Sequence, residues 1–179
     1  MRVVYLLIII IALSLISGCG YRLAGKADLD PVFESTHVSY QGRGLRMSLL
    51  LEKQFEANQY KLVSAEQASA LVEVLYENTD REILAVDENG KVREYELILS
   101  VGIDVKDSEG KKLVSNQQVR LTRDFLFDIN DVLGKGNEER AIYQEMRADA
   151  ARLILYRLQA ISLQLEEETG ETGEAEAEE

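Results

Sequence analysis

Glu94-Tyr95-Glu96-Leu97-Ile98-Leu99-Ser100-Val101-Gly102-Ile103-Asp104-Val105 decides the fold. Tyr95, Leu97, Leu99, Val101, Ile103 and Val105 alternate with Glu94, Glu96, Ser100, Gly102 and Asp104, and only Ile98 breaks the pattern. Successive side chains of a strand point to opposite faces, so this is a strand with one buried face and one largely polar face. Such a strand needs partners along its edges and a cover over its apolar face.

The partners lie on either side. Upstream, Asp87-Glu88-Asn89-Gly90-Lys91 is a hairpin turn with Asn-Gly as its signal. Before it, Ala70 to Val86 is β-rich, with Leu71-Val72-Glu73-Val74-Leu75-Tyr76 and Ile83-Leu84-Ala85-Val86. Downstream, Asp107-Ser108-Glu109-Gly110-Lys111 turns the chain again. Val119, Leu121, Phe125 and Phe127 then mark the buried face of a third long strand, opposite Arg120, Thr122 and Asp124. Consecutive hairpins make these strands antiparallel.

The cover is helical. Met47, Leu50, Leu51 and Phe55 fall at helical spacing between Leu45 and a stop at Asn58. Tyr143, Ala150, Ile154, Leu158, Ile161 and Leu165 form a stripe on a second helix, from about Glu138 to Leu165. A loop from Asp128 to Asn137, containing Gly134-Lys135-Gly136, precedes it. Thr36-His37-Val38-Ser39-Tyr40 reads as a short first strand, followed by the turn Gln41-Gly42-Arg43-Gly44. The order is strand-helix-strand-strand-strand-helix. It predicts an α+β domain: two helices packed on one face of a four-stranded mixed, mostly antiparallel sheet. The helical connection from the first strand to the second allows a parallel, right-handed crossover.

The two ends of the chain differ from this body. Arg2 precedes an almost wholly apolar run, Val3 to Ile16, too short for the ~20 residues of a spanning helix and suited to a signal peptide. Ser17 and Gly18 follow, then Cys19, the single cysteine. Leu15-Ile16-Ser17-Gly18-Cys19 resembles a bacterial lipobox, in which the cysteine is acylated and becomes the new N-terminus. Each buried CH₂ contributes ~0.8 kcal/mol, and two or more chains anchor stably. At the other end, residues 166–179 hold eight glutamates and no basic residue. With nothing to bury, this stretch is expected to be an acidic, disordered tail. The expected organisation is a signal peptide (1–18), a lipidated linker (19–35), one α+β domain (36–165) and the tail (166–179).

Composition and motifs weigh against several functions. The net charge of −12 lacks the basic footprint that nucleic acid requires. His37 is the single histidine and stands in a short strand, where a structural role is the expected one. Glu94, Glu96 and Asp104 alternate along one strand, a solvated face rather than an acid–base pair. Gly42-Arg43-Gly44 and Gly134-Lys135-Gly136 are too short for a phosphate-binding loop, and no His/Cys cluster fits zinc. No enzyme, metal or cofactor is expected.

Further motifs carry a resemblance. Gly18-Cys19-Gly20-Tyr21-Arg22-Leu23 opens the mature chain, and Asn89-Gly90 precedes Glu94-Tyr95-Glu96-Leu97-Ile98-Leu99. Arg123-Asp124-Phe125, Val132-Leu133-Gly134-Lys135-Gly136-Asn137-Glu138-Glu139, Gln144-Glu145-Met146-Arg147-Ala148-Asp149-Ala150-Ala151 and Leu155-Tyr156-Arg157-Leu158 follow in order. Together they resemble the LptE family, lipoproteins of the outer-membrane lipopolysaccharide (LPS) translocon. The resemblance implies two helices on a four-stranded sheet and a non-enzymatic role. It implies a partner, an LptD-like outer-membrane β-barrel whose lumen the domain plugs and stabilises, and assistance in delivering LPS to the outer leaflet. It also implies a location on the periplasmic face of the outer membrane, since Gly20 rather than aspartate follows the cysteine. The alternative is a lipid-anchored periplasmic adaptor of another envelope complex. In the family, basic residues at the turn between the second and third strands and before the last helix are associated with LPS. Lys135 matches the latter; the former position reads Glu88, with Lys91 the nearest basic residue.

Cys19→Ala is expected to leave an unprocessed or unanchored protein. Membrane fractionation and intact-mass measurement check this, and an acylated mutant in the outer-membrane fraction would refute it.

Overall fold

The structure is a computed structural model that describes Leu29 and residues 31–175, with side chains through Ser162. Cys19, the signal peptide and most of the linker lie outside the described residues. The elements are β1 (Ser35–Tyr40), α1 (Leu45–Ala57), β2 (Lys61–Leu62), β3 (Ala70–Val86), β4 (Val92–Asp107), β5 (Lys112–Leu126) and α2 (Val132–Ala175). They form an α+β fold with a single sheet, ordered β2-β1-β3-β4-β5. β1 runs parallel to β3 through the α1 crossover, while β3, β4 and β5 are joined by antiparallel hairpins.

The strand that decides the fold behaves as its alternation demands. Leu97, Leu99, Val101, Ile103 and Val105 of β4 are all fully buried. The helices cover this face. Met47, Leu51 and Phe55 of α1 and Met146, Ala150, Ala151, Ile154 and Leu158 of α2 are equally buried. Each large apolar side chain withdrawn from water contributes ~1.5–3 kcal/mol. The opposite face is wet and ion-paired, with Glu96–Arg120 at 3.9 Å and Asp104–Lys112 at 3.3 Å.

Two features depart from expectation. The sheet has five strands rather than four. The fifth, β2, is only two residues long, held by Lys61 N–H on Glu34 O and Val63 N–H on Thr36 O. Two residues have no period to read. The second departure is the start of α2. It begins at Val132, so Gly134-Lys135-Gly136 lies in its first turns and not in a loop. Asp131 sets this start: its Oδ1 accepts the Gly134 N–H at 3.1 Å, an N-cap that outweighs the poor helix propensity of glycine. A Cβ on Gly134 would sit 2.2 Å from the Asp131 carboxylate, so a larger residue there requires that side chain to shift. The helix also runs past Leu165 through Ala175, into the acidic stretch. The hairpin turns fall at the two expected stretches. Asp87 and Asp107 each accept two backbone N–H groups, from Asn89 and Lys91 and from Glu109 and Lys111, all at 2.9 Å. Only Gly90 and Gly110 take positive φ in these turns, 75° and 84°. Both are therefore three-residue loops closed by a left-handed glycine.

Between β4 and β5 the register slips by one residue, between Ile103 and Val105. Asn116 absorbs the extra residue with φ 47°, and Asp104 fastens it, its Oδ1 accepting the Asn116 N–H at 2.6 Å. That bond, then Lys112, holds the Asp104 carboxyl below the usual carboxylate range. A carboxyl depressed on folding stabilises above its unfolded value, ~3.9, and this contribution fades as pH falls through the folded value. Asp104→Asn is expected to lower the urea midpoint at neutral pH. Its deficit should shrink as pH drops below about 4; a deficit constant with pH would refute the assignment.

Candidate functional site

The topology brings Lys91 and Lys135 to one end of the sheet. The Phe127 N–H bonds to Arg93 O at 2.9 Å, docking the chain before α2 onto the start of β4, and Lys91 and Asn130 line a common hollow. Neither lysine is free of neighbouring acid. Lys135 Nζ lies 2.7 Å from Glu138 Oε2 and 5.5 Å from the centre of the Phe125 ring. Asp87 binds the Lys91 main chain, and both Asp87 and Asp128 have their carboxyls lowered, chiefly by backbone N–H groups. The same end exposes apolar side chains, among them Ile83, Val86, Leu126, Ile129 and Leu133, the last 85% exposed. His37 belongs to the scaffold, its Nδ1 3.0 Å from Val63 O.

The second surface was not legible in the sequence. Between Val74 and Tyr76 the β3–β4 register shifts, because Leu75 is an extra residue on β3. The bulge swaps the faces of β3. Before it, Ala70, Val72 and Val74 are buried; after it, Glu77, opposite Val101, and Arg81, opposite Leu97, turn toward the helices. Here α2 docks by polar contacts. Arg147 Nε meets Glu77 Oε1 at 2.5 Å, Arg81 Nη1 meets Glu139 Oε2 at 3.2 Å, and the Tyr143 hydroxyl donates to Asp80 O at 2.5 Å. Burial, with Glu139 nearby, pushes the Tyr143 phenol above its usual value. Past Met146 buried apolar side chains join the polar contacts, which continue with Arg123–Asp149 at 2.8 Å and Arg157 donating to Gln118 O, and a cleft opens between α1 and the first half of α2 over β3. The cleft between them has a volume of about 600 Å³.

Comparison with known proteins gives this arrangement a context. The family model described as "LptE: Lipopolysaccharide-assembly" matches residues 33–158. The chain belongs to the LptE family. The match runs from Phe33, just before β1, to Leu158, a fully buried residue of α2. It therefore spans the packed body and leaves out the acidic stretch. The LPS-assembly lipoprotein LptE of Photorhabdus laumondii is 24% identical over 149 residues, covering 83% of this chain and 81% of that protein. Among solved structures, an uncharacterized lipoprotein B of Nitrosomonas europaea is 30% identical, with a TM-score of 0.67, 79% of this chain and 91% of that one covered. Rare lipoprotein B of Shewanella oneidensis is 25% identical with a TM-score of 0.65, covering 74% and 98%.

In this LptE-family chain the Glu77–Arg147 pair is the most buried ion pair among the described residues, with side chains 5% and 12% exposed. Removing one partner of a buried pair costs more than removing both, since it leaves a charge unpaired. Arg147→Ala is expected to destabilise by ~3–5 kcal/mol, and Glu77→Leu/Arg147→Met to recover most of that loss in urea denaturation. A single variant no worse than the double would contradict it.

Proposed function

We propose that this protein is an outer-membrane lipoprotein of the LPS-assembly machinery, attached through a lipidated Cys19 after removal of residues 1–18. In this reading the α+β domain plugs and stabilises an LptD-like β-barrel, assists LPS delivery to the outer leaflet and catalyses nothing. The LptE family match across the packed body carries the reading.

The physical surface fits that role. A barrel lumen is polar and wet, and one that encloses a domain of this size must be far wider than eight strands. A plug therefore needs a charged exterior that stays soluble while enclosed. The outer face of the sheet supplies it through Glu96–Arg120, Asp104–Lys112 and Glu73–Lys106. Exposed pairs contribute only ~0–1 kcal/mol each, so single substitutions on this face are tolerable and disruption of the fold is not. Depleting the lipoprotein should lower the amount of folded large barrel in the outer membrane. Leu99→Pro, which removes hydrogen bonds from the central strand, should do the same. Unchanged barrel levels, with no large barrel co-purifying, would favour an adaptor of another envelope complex.

Lys135, with Lys91 near it, is the proposed LPS contact at the hairpin end of the sheet. Phosphates of LPS need basic donors, and Lys135 stands at the start of α2, where the helix dipole favours an anion. Lys135→Asp is expected to weaken LPS binding several-fold while leaving the circular-dichroism melt unchanged. Equal binding at low salt would remove Lys135 from the site.

A further inference from the structure

We propose that the cleft between α1 and the first half of α2 is a second anion site, built for a phosphorylated sugar headgroup carried on an apolar body. The proposal rests on the LPS-assembly reading above and names a contact surface away from Lys135 and Lys91.

Charge is the first observation. Arg46 and Lys53 of α1 face Arg140 and Arg147 of α2 across the cleft. A second hollow of about 360 Å³ shares Arg46 and Arg147 and reaches Arg43 and Glu77. Glu77 is the one acidic residue lining either space, and Arg147 already engages it. This concentration of cations lies in a chain of net charge −12. Among the described residues, Arg43, Arg46 and Lys53 make no hydrogen bond or ion pair, whereas every other described arginine makes at least one. Facing cations with no carboxylate between them raise the local potential and attract an anion. Guanidinium forks match phosphate oxygens in pairs.

The second observation is an orphaned acceptor. Glu77 is 7% exposed, and its Oε2 has no hydrogen-bond partner while Oε1 takes Arg147. A buried carboxylate oxygen without a donor is costly. That cost fastens Glu77 to Arg147, and four further cations, Arg43, Arg46, Lys53 and Arg140, line the two hollows with no carboxylate set against them. The third observation is apolar. Leu45 and Leu49 are 46% and 48% exposed on the α1 side, and the Tyr143 ring lines the α2 side. Exposed leucines beside arginines suit an amphiphile whose hydrocarbon lies against the wall while its phosphate meets the cations.

The test uses the full chain in a non-ionic detergent and an acylated glucosamine disaccharide bisphosphate as probe. Arg46→Glu/Lys53→Glu is compared with wild type and with Lys111→Glu, a charge reversal at the exposed β4–β5 turn. The double variant should bind at least about tenfold more weakly, with an unchanged melt, and Lys111→Glu should bind as wild type does. If the double reversal melts early, Arg46→Gln/Lys53→Gln is measured in its place and should still weaken binding. The dephosphorylated amphiphile should bind poorly, and neither glucosamine 1-phosphate nor hexaglutamate should compete as well as the full probe. Wild-type affinity in the double variant would overturn the cleft site and leave the LPS reading standing. Absence of binding by wild type would overturn both. Equal competition by hexaglutamate would make the cleft an acidic-peptide dock, and equal competition by glucosamine 1-phosphate would remove the apolar wall from the site.

Discussion

The dry face of β4 is the constraint on which the rest of the molecule depends. Five consecutive inward side chains, Leu97 to Val105, are wholly out of water. No single helix is wide enough to cover a strand that long together with its neighbours, so both α1 and α2 must lie on the same side. That requirement places the first crossover. With α1 on the face that α2 also covers, β1 arrives parallel to β3, and the short β2 fills the far edge. The other face carries no helix, so its charges pair across strands, while Ile98 and the Tyr76 ring over Gly102 shelter its middle.

The bulge at Leu75 qualifies this order. Had β3 continued its parity, Tyr76, Asn78, Asp80 and Glu82 would have faced the helices. The extra residue instead turns Glu77 and Arg81 inward and moves Tyr76 and Asn78 to the outer face. The helix layer is thus joined to the sheet in two ways. From Met146 to Leu158, α2 buries close-packed apolar side chains with Arg123–Asp149 and Arg157 to Gln118 O at their edge; from Glu139 to Arg147 it is held by ion pairs and the Tyr143 hydroxyl alone. Within the polar stretch the two pairs differ, since Glu77–Arg147 is sheltered while Arg81–Glu139 is open to solvent and screened by salt.

How legible this was depended on whether a feature has a period. β4, the stripe of α1 and the antiparallel hairpins were readable because each repeats a simple pattern over many residues. Met146, Ala151 and Leu155 widen the buried stripe of α2 beyond the predicted residues, as a helix buried against both a sheet and a second helix requires. The start of α2 was hidden because Gly134 and Gly136 read as loop formers, while the Asp131 cap that overrides them is a single residue. The bulge was hidden for a related reason: Val74-Leu75-Tyr76 is continuous with any strand pattern, and only the register against β4 reveals the extra residue. The candidate sites followed suit. Lys135 could be named from motif order, but the ion pair that occupies it could not. The cleft draws its residues from β3, α1, α2 and the turn before α1, and no linear pattern joins Arg46 to Arg140.

The cleft also follows from the bulge. Without the inserted residue Tyr76, Asn78 and Asp80 would face the helices, and the Tyr76 ring would fill part of the space between them. Glu77 and Thr79 in those inward positions offer nothing for Leu49 to pack on, so Leu49 remains about half exposed. Arg147 is drawn down to Glu77, and among the described residues Arg43, Arg46 and Lys53 form no ion pair. An open, positively charged space over a buried carboxylate is the direct result of one inserted residue in β3. Deleting Leu75 would restore the parity of the strand and turn Tyr76 and Asn78 inward. It would remove Glu77 from beneath Arg147 and replace the open cleft with a differently packed helix–sheet contact.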